Sequence, residues 1–226
     1  LNRCAFEGKY EVTAVSFHAY AHLAGKYALL PHGASMGDKY GPILVGKRPI
    51  DAREGSRALK GLRIAIPGRL TSAYLAMQLF DSDFEAVIMP FDQIQQAVDE
   101  GKADAGLLIH EGQLTYSDQQ LHLVVDLGKW WQKETGLPLP LGANGVRKDL
   151  GEQAMLEINR LLKASIQYGL EHRSDALEYA LQFGRGLDQR KADTFVGMYV
   201  NDWTLDFGPR GRRAVTELLT RGFAAG

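Results

Sequence analysis

Short apolar runs alternate with capped, amphipathic segments through the first half of the chain, and this alternation limits the fold more than any other feature. Apolar runs bounded by Gly or Pro read as buried strands, whereas apolar residues three and four apart read as helices. On this basis strands are expected at Tyr10–Val15, Ile43–Gly46, Leu62–Ile66, Ala86–Met89, Ala105–Ile109 and His122–Val125. Helices are expected between them. One is capped by Ser16, runs to Ala24 and stops at Gly25. Another runs from Thr71 to Phe80 after the turn Pro67-Gly68-Arg69-Leu70. A third opens at Asp92, whose spacing to Gln95 is that of a capping box, and ends at Gly101. Such alternation predicts an α/β chain with parallel sheets and helices on both faces. After Pro138 and Pro140 the pattern turns helical. Met155, Ile158, Leu162, Ile166 and Gly169 share one face of a long helix, and further helices are expected at Ser174–Phe183, Asp188–Val200 and Pro209–Gly222.

A chain of 226 residues holds one large or two small domains, and 45% apolar residues supply a core. Lys plus Arg number 26 against 27 Asp plus Glu, so no nucleic acid or anionic membrane partner is expected. The single cysteine, Cys4, forms no internal disulfide and excludes a cysteine-based zinc site; a reducing compartment is expected. No apolar run approaches the roughly 20 residues that span a bilayer. No secretory signal is visible, although the chain begins at Leu1 inside an element.

One internal echo organises the chemistry. Glu7-Gly8-Lys9-Tyr10-Glu11 precedes a strand ending at Ser16, and Glu100-Gly101-Lys102-Ala103-Asp104 precedes one ending at Ile109-His110. This register suggests two similar α/β units whose strand ends face each other. His110 follows an uninterrupted apolar run, so a buried parallel strand delivers it at its carboxyl end, where open α/β sheets bind ligands. An imidazole there takes and returns a proton near neutrality; the competing reading is a histidine that bonds a loop carbonyl. Thr71 and Ser72 open a helix, where N–H groups and hydroxyls receive a carboxylate or phosphate; the competing reading is ordinary capping. The same argument covers Ala14, Val15 and Ser16, where a strand turns into a helix. His18 and His22 share a helix face at a spacing that suits two metal ligands, but no glutamate follows His18 and no third ligand is placed, so no metal site is expected. Trp130-Trp131 reads as a stacking platform or a core anchor. Gly33-Ala34-Ser35-Met36-Gly37 reads as a turn or a cleft loop. Neither a phosphate loop nor a Gly-x-Ser-x-Gly elbow occurs.

Several segments together carry a resemblance. Ser16-Phe17-His18-Ala19-Tyr20-Ala21, Gly41-Pro42-Ile43-Leu44-Val45, Ile66-Pro67-Gly68-Arg69-Leu70-Thr71-Ser72 and Met89-Pro90-Phe91-Asp92 occur in this order. They are followed by Asp104-Ala105-Gly106-Leu107-Leu108-Ile109-His110-Glu111-Gly112, Val125-Asp126-Leu127-Gly128, Trp130-Trp131 and Thr135-Gly136-Leu137-Pro138. Near the end stand Tyr199-Val200-Asn201 and Thr204-Leu205-Asp206. The ordered set resembles the 1,4-dihydroxy-6-naphthoate synthases of the futalosine route to menaquinone.

The resemblance implies a two-domain fold like that of the type II periplasmic binding proteins, with a ligand cleft between the domains, used for catalysis in the cytoplasm. It implies a larger discontinuous domain of residues 1–50 and 138–226 and an inserted domain of residues 51–137, with crossings near Gly46–Lys60 and Leu137–Gly142. It further implies a lyase that converts cyclic dehypoxanthinylfutalosine to 1,4-dihydroxy-6-naphthoate, with His110 as proton acceptor. Substrate contacts would fall on Ala14, Val15 and Ser16 and on Thr71 and Ser72, the last in place of the commoner threonine. The substrate is a small carboxylate, and neither a metal nor an organic cofactor is needed. Family members carry further residues before the position of Leu1, including a first strand and a cleft loop, so a partial sequence is expected. Chorismate dehydratase of the same pathway and a non-catalytic solute-binding protein are the rival readings. The sequence leaves the oligomeric state open.

Overall fold

The computed structural model describes residues 1–53, 57–109, 112–182 and 189–226. The chain opens with α1 (Asn2–Glu7), β1 (Val12–Ser16), α2 (Phe17–Leu23), β2 (Tyr27–Leu29) and β3 (Ser35–Gly37). It continues through β4 (Ile43–Gly46), β5 (Arg63–Ile66), α3 (Ser72–Phe80), β6 (Glu85–Ile88) and α4 (Ile94–Asp99). Next come β7 (Ala105–Leu108), α5 (Gly112–Thr115), β8 (His122–Asp126) and α6 (Leu127–Thr135). Strand β9 (Leu139–Arg147) then precedes α7 (Glu152–Glu171), α8 (Arg173–Leu181), α9 (Gln189–Tyr199), α10 (Asp202–Leu205) and α11 (Gly208–Ala225). The chain divides into two compact units. Unit one holds Leu1–Met36 and Pro140–Val215, and unit two holds Gly37–Leu139 and Thr216–Gly226. The chain thus passes between the units at 36/37, 139/140 and 215/216, and β4 pairs within unit two; residues 54–56 of the expected 46–60 crossing lie outside the described residues.

In unit one, β9 is the central strand. It pairs antiparallel with β1, from Val12 opposite Val146 to Ser16 opposite Gly142, and antiparallel with β2, where Tyr27 faces Arg147. Strand β3 also pairs with β9. Two features of β9 hide it in the sequence: the prolines at its start and the glycines within it, which have low strand propensity. Of these glycines Gly142 is the more tightly enclosed. A Cβ at Gly142 would stand 3.1 Å from the Val15 carbonyl oxygen, and one at Gly145 would stand 3.4 Å from Tyr27. Tyr27 is fully buried with Ala5, Val15, Ala19 and Leu23, and its hydroxyl donates to the Tyr10 carbonyl at 2.7 Å. Burying each large apolar side chain of this kind contributes about 1.5–3 kcal/mol, and the hydrogen bond removes the cost of the buried hydroxyl.

In unit two the strand order is β6-β5-β7-β4-β8. β5 runs parallel to β6 and β7, joined through α3 and α4, as strand–helix–strand units require. Strand β4 runs antiparallel to both β7 and β8. The expectation of parallel sheets is therefore corrected twice. β4 and β9 both reach their sheets by a connection other than a helical crossover, so nothing forces them parallel. Helix α4 presses onto β7 at Gly106, where a Cβ would stand 2.6 Å from Ile94 Cγ2 and 2.8 Å from Val98 Cγ2. These side chains close a core with Ile43, Val45, Ala65 and Leu108.

The expected capping box at Asp92 does not form. Phe91–Gln93 makes a 3₁₀ turn and α4 starts two residues later, with no side-chain cap at Gln93. The segment from Gly33 to Gly37, expected as a turn, contributes β3. The long helix is present as α7, and its stripe of Met155, Ile158, Leu162, Ile166 and Gly169 is half-buried rather than fully buried. Helix α8 starts at Arg173, one residue before the expected start, and Phe183 and Asp188, the expected ends of two helices, lie outside the described residues. Asn201 and Thr204 form a capping box at α10, with Asn201 Oδ1 accepting from Trp203 N at 3.0 Å and Thr204 Oγ1 accepting from Asn201 N at 3.1 Å. Beside it, the buried His32 bonds the Leu205 carbonyl through Nδ1, and Gly33 N donates to the Thr204 carbonyl at 2.7 Å.

Candidate functional site

In unit one, β1 runs into α2 at Ser16. Val15 is 3% exposed and belongs to the core, so only its backbone is available to a ligand; Ala14 faces outward and Ser16 is half-buried. Ser16 takes the N-cap position of α2 with an extended backbone, but its hydroxyl makes no capping bond. The expected capping by Ser16 is corrected here. Its Oγ accepts from Asn2 Nδ2 at 2.6 Å, and its backbone N–H donates to Asn2 Oδ1 at 3.1 Å. Asn2 is the residue that sequence reasoning missed, because no spacing or motif links it to Ser16. On the same helix His18 and His22 stand 6.2 Å apart between ring centroids, with Phe6 at 6.5 Å from His22. Among the described residues no group of three or more His, Cys, Asp or Glu is placed to hold a metal ion. Tyr20, half-buried nearby, has its phenol pushed up by burial, against the Leu29 backbone bond, and so stays neutral at physiological pH.

In unit two, α3 begins at Ser72 with Thr71 as its N-cap. Thr71 Oγ1 accepts from Tyr74 N at 3.1 Å and donates to the Gly68 carbonyl at 2.8 Å, so its proton serves the turn. The Thr71 N–H donates to the same carbonyl at 3.2 Å. If the hydroxyl rotated toward an anion, Gly68 O would therefore keep a partner. Gly68 has φ 144°, a left-handed value that suits glycine and lets the chain fold back over the helix start. Ser72 is 2% exposed. Arg69 reaches over the Tyr74 ring at 5.7 Å and bonds its hydroxyl at 3.0 Å, which places a cation beside the start of α3.

Strand β7 ends at Leu108, with every residue of the strand buried, and Ile109 is half-buried. His110, the sharpest candidate in the sequence, lies with Glu111 outside the described residues. Helix α5 resumes at Gly112. The echo between Glu7–Glu11 and Glu100–Asp104 holds locally. In both places a helix is followed by a left-handed glycine, Gly8 at φ 68° and Gly101 at φ 74°, and then a strand. Trp131 is fully buried and donates from Nε1 to the Pro138 carbonyl at 3.1 Å, while Trp130 meets Phe80 edge-on at 5.5 Å. That pair is a core anchor.

Solved structures at low identity share this architecture. An alkanesulfonate-binding protein from Xanthomonas axonopodis pv. citri, bound to MOPS, matches with a TM-score of 0.63 at 16% identity, covering 88% of this chain and 69% of that one. A Candida albicans gene product described as having the generic periplasmic binding protein fold matches with a TM-score of 0.66 at 14% identity, covering 98% and 76%. At such identities the likeness is one of fold, and it defines the class: this is a chain of periplasmic-binding-protein-like fold. A crystal structure of a protein from Archaeoglobus fulgidus is far more similar, with a TM-score of 0.93 and 48% identity over 99% of this chain and 82% of that one. Two curated relatives are named 1,4-dihydroxy-6-naphtoate synthase. One, from Thermus thermophilus, is 40% identical over all of this chain and 81% of its own length; the other, from Streptomyces coelicolor, is 36% identical over all of this chain and 80% of its own. The family model for menaquinone biosynthesis matches residues 1–224, and the chain belongs to that family. Membership places it among the enzymes of menaquinone biosynthesis. Among the described residues no helix is long and apolar enough to cross a membrane.

Proposed function

We propose that this protein is a carbon–carbon lyase that converts cyclic dehypoxanthinylfutalosine to 1,4-dihydroxy-6-naphthoate. The observation that carries the reading is the similarity, over the whole chain, to two relatives that bear the synthase name. In this reading the substrate carboxylate docks at the start of α3, on the backbone of Ser72, whose side chain is buried, and on Thr71, whose hydroxyl turns from Gly68 while the Thr71 N–H keeps that carbonyl bonded. Arg69 adds a cation to that position. Ser16 and the backbone of Ala14 and Val15 contact the rest of the substrate. His110 removes a proton; the electron pair it leaves forms a new π bond in the departing fragment, the carbon–carbon bond breaks, and its pair passes into the ring, which becomes aromatic and takes up a proton.

The test is direct incubation of the protein with cyclic dehypoxanthinylfutalosine, with release of the naphthoate followed by chromatography. The parent protein should form product. His110→Asn keeps the size and a hydrogen-bonding tip but cannot accept a proton at neutral pH. Turnover per folded molecule should fall by roughly 10²–10⁴-fold, with affinity changed much less. Near-parental turnover would overturn the proton-acceptor role, and no product from the parent would overturn the reaction. Thr71→Ala also removes a helix cap worth about 1 kcal/mol, so its affinity is to be compared on the folded fraction.

A further inference from the structure

The Asn2 carboxamide grips the backbone N–H and the hydroxyl of Ser16. The backbone N–H of Ser16 can only donate, so the atom that faces it at 3.1 Å must be Oδ1. That leaves Nδ2 toward Ser16 Oγ at 2.6 Å, and Nδ2 can only donate. The orientation of the amide is therefore set by the backbone and not by choice. A hydroxyl has one proton and two lone pairs. With one lone pair occupied by Asn2, the Ser16 proton is directed away from Asn2, and among the described residues Ser16 makes no other side-chain hydrogen bond. Without Asn2 the hydroxyl would be free to rotate or to cap α2.

We propose that Asn2 is a positioning residue for the reaction: it holds the Ser16 hydroxyl as a hydrogen-bond donor, presented to an oxygen of the anionic substrate. This rests on the reading above, in which Ser16 touches the substrate. Asn2 acts through Ser16 and supplies no bond of its own to the reacting atoms. Residues on α1 are thereby tied to the site, because α1 packs on β1 and carries the amide to the strand end.

The test is a double-mutant cycle on Asn2→Asp and Ser16→Ala, read as the dissociation constant for 1,4-dihydroxy-6-naphthoate by calorimetry, with kcat and KM measured alongside. Asp at this position keeps an acceptor for the Ser16 N–H, but its second oxygen only accepts, so the Ser16 proton turns back to it. Asn2→Asp should raise the dissociation constant about tenfold in the parent background, and KM with it, while kcat changes little. In the Ser16→Ala background the same change should have almost no effect. An equal loss in both backgrounds means that the added charge acts without Ser16, and overturns the proposal. Asn2→Asp without effect, where Ser16→Ala weakens binding, overturns the role of Asn2 alone. Unchanged binding in Ser16→Ala overturns the Ser16 contact itself, and Asn2 falls with it. Should Asn2→Asp fail to fold, Asn2→Ala serves in the same cycle with the same three readings.

Discussion

Asp126 meets two opposing demands. It caps α6, accepting from Gly128 N at 3.0 Å and Lys129 N at 3.1 Å. Burial pushes its carboxyl above the ordinary value, against these N–H bonds and the Lys129 charge. A carboxyl whose folded pKa lies above its unfolded value, near 4, holds its proton more tightly when folded. Its contribution is then fully present below that unfolded value and is lost as pH rises through the folded one. Asp126→Asn keeps a capping oxygen and carries no charge. The parent should therefore lose stability relative to Asp126→Asn as pH rises from about 3 to 7, whereas Asp126→Ala should fall below Asp126→Asn by about 1 kcal/mol throughout. Urea midpoints at the two pH values check this. A gap between parent and Asp126→Asn that stays constant with pH would count against it. Thr71 shows the complementary lesson at the same scale: the hydroxyl expected at an anion site is engaged in a cap, and its use for binding requires a change of partner.

Helix placement in this protein is set by glycines that admit a close approach. At the start of α6 the Tyr40–Gly41 peptide lies against Gly128, and a Cβ there would stand 1.9 Å from the Tyr40 carbonyl oxygen. Both groups are backbone, so neither side can yield cheaply. Gly169, on α7, has nothing within 4 Å of the same construction. The two substitutions should therefore have opposite signs. Gly128→Ala should cost several kcal/mol through displacement of α6, and Gly169→Ala should gain up to about 1 kcal/mol from helix propensity. Chemical denaturation of both variants decides it. A mild effect at Gly128 would mean that the Tyr40 peptide shifts freely. The stripe on α7 was legible from its period, since helical spacing is a local property of the chain. The start of α4 was not, because the Asp92–Gln95 spacing is equally compatible with the 3₁₀ turn that forms.

Over the whole molecule, the ladders of the two units join segments at very different separations along the chain. Unit two pairs strands drawn from residues 43–126, whereas unit one joins residues 12–16 to residues 142–146. Closing the longer loop costs more entropy and slows folding. The tryptophans allow this to be followed, because Trp130 and Trp131 lie in unit two and Trp203 lies in unit one. In refolding after a denaturant jump, the fluorescence of Trp203→Phe should recover faster than that of Trp130→Phe/Trp131→Phe. Equal rates, or a Trp203 signal that recovers first, would sink the expectation.

Strands β4 to β8, the helices α3 and α4 apart from the start of α4, and the long helix α7 followed from the sequence by itself, because apolar period, caps and turn residues act over a few neighbours. Family membership followed as well. Its signature segments do largely structural work: Trp130-Trp131 anchors a core, Asn201–Thr204 caps α10, and Asp126 caps α6. Tertiary structure alone decided the direction of β4 and β9, since a strand's partner depends on which distant segment completes its ladder and not on its own composition. It also decided that β9 is a strand at all, through its ladders with β1 and β2. The hold of Asn2 on Ser16 is of the same kind. It joins residues with no shared motif, and it exists only because α1 folds back against β1 and brings an amide to the one N–H and hydroxyl that fit it.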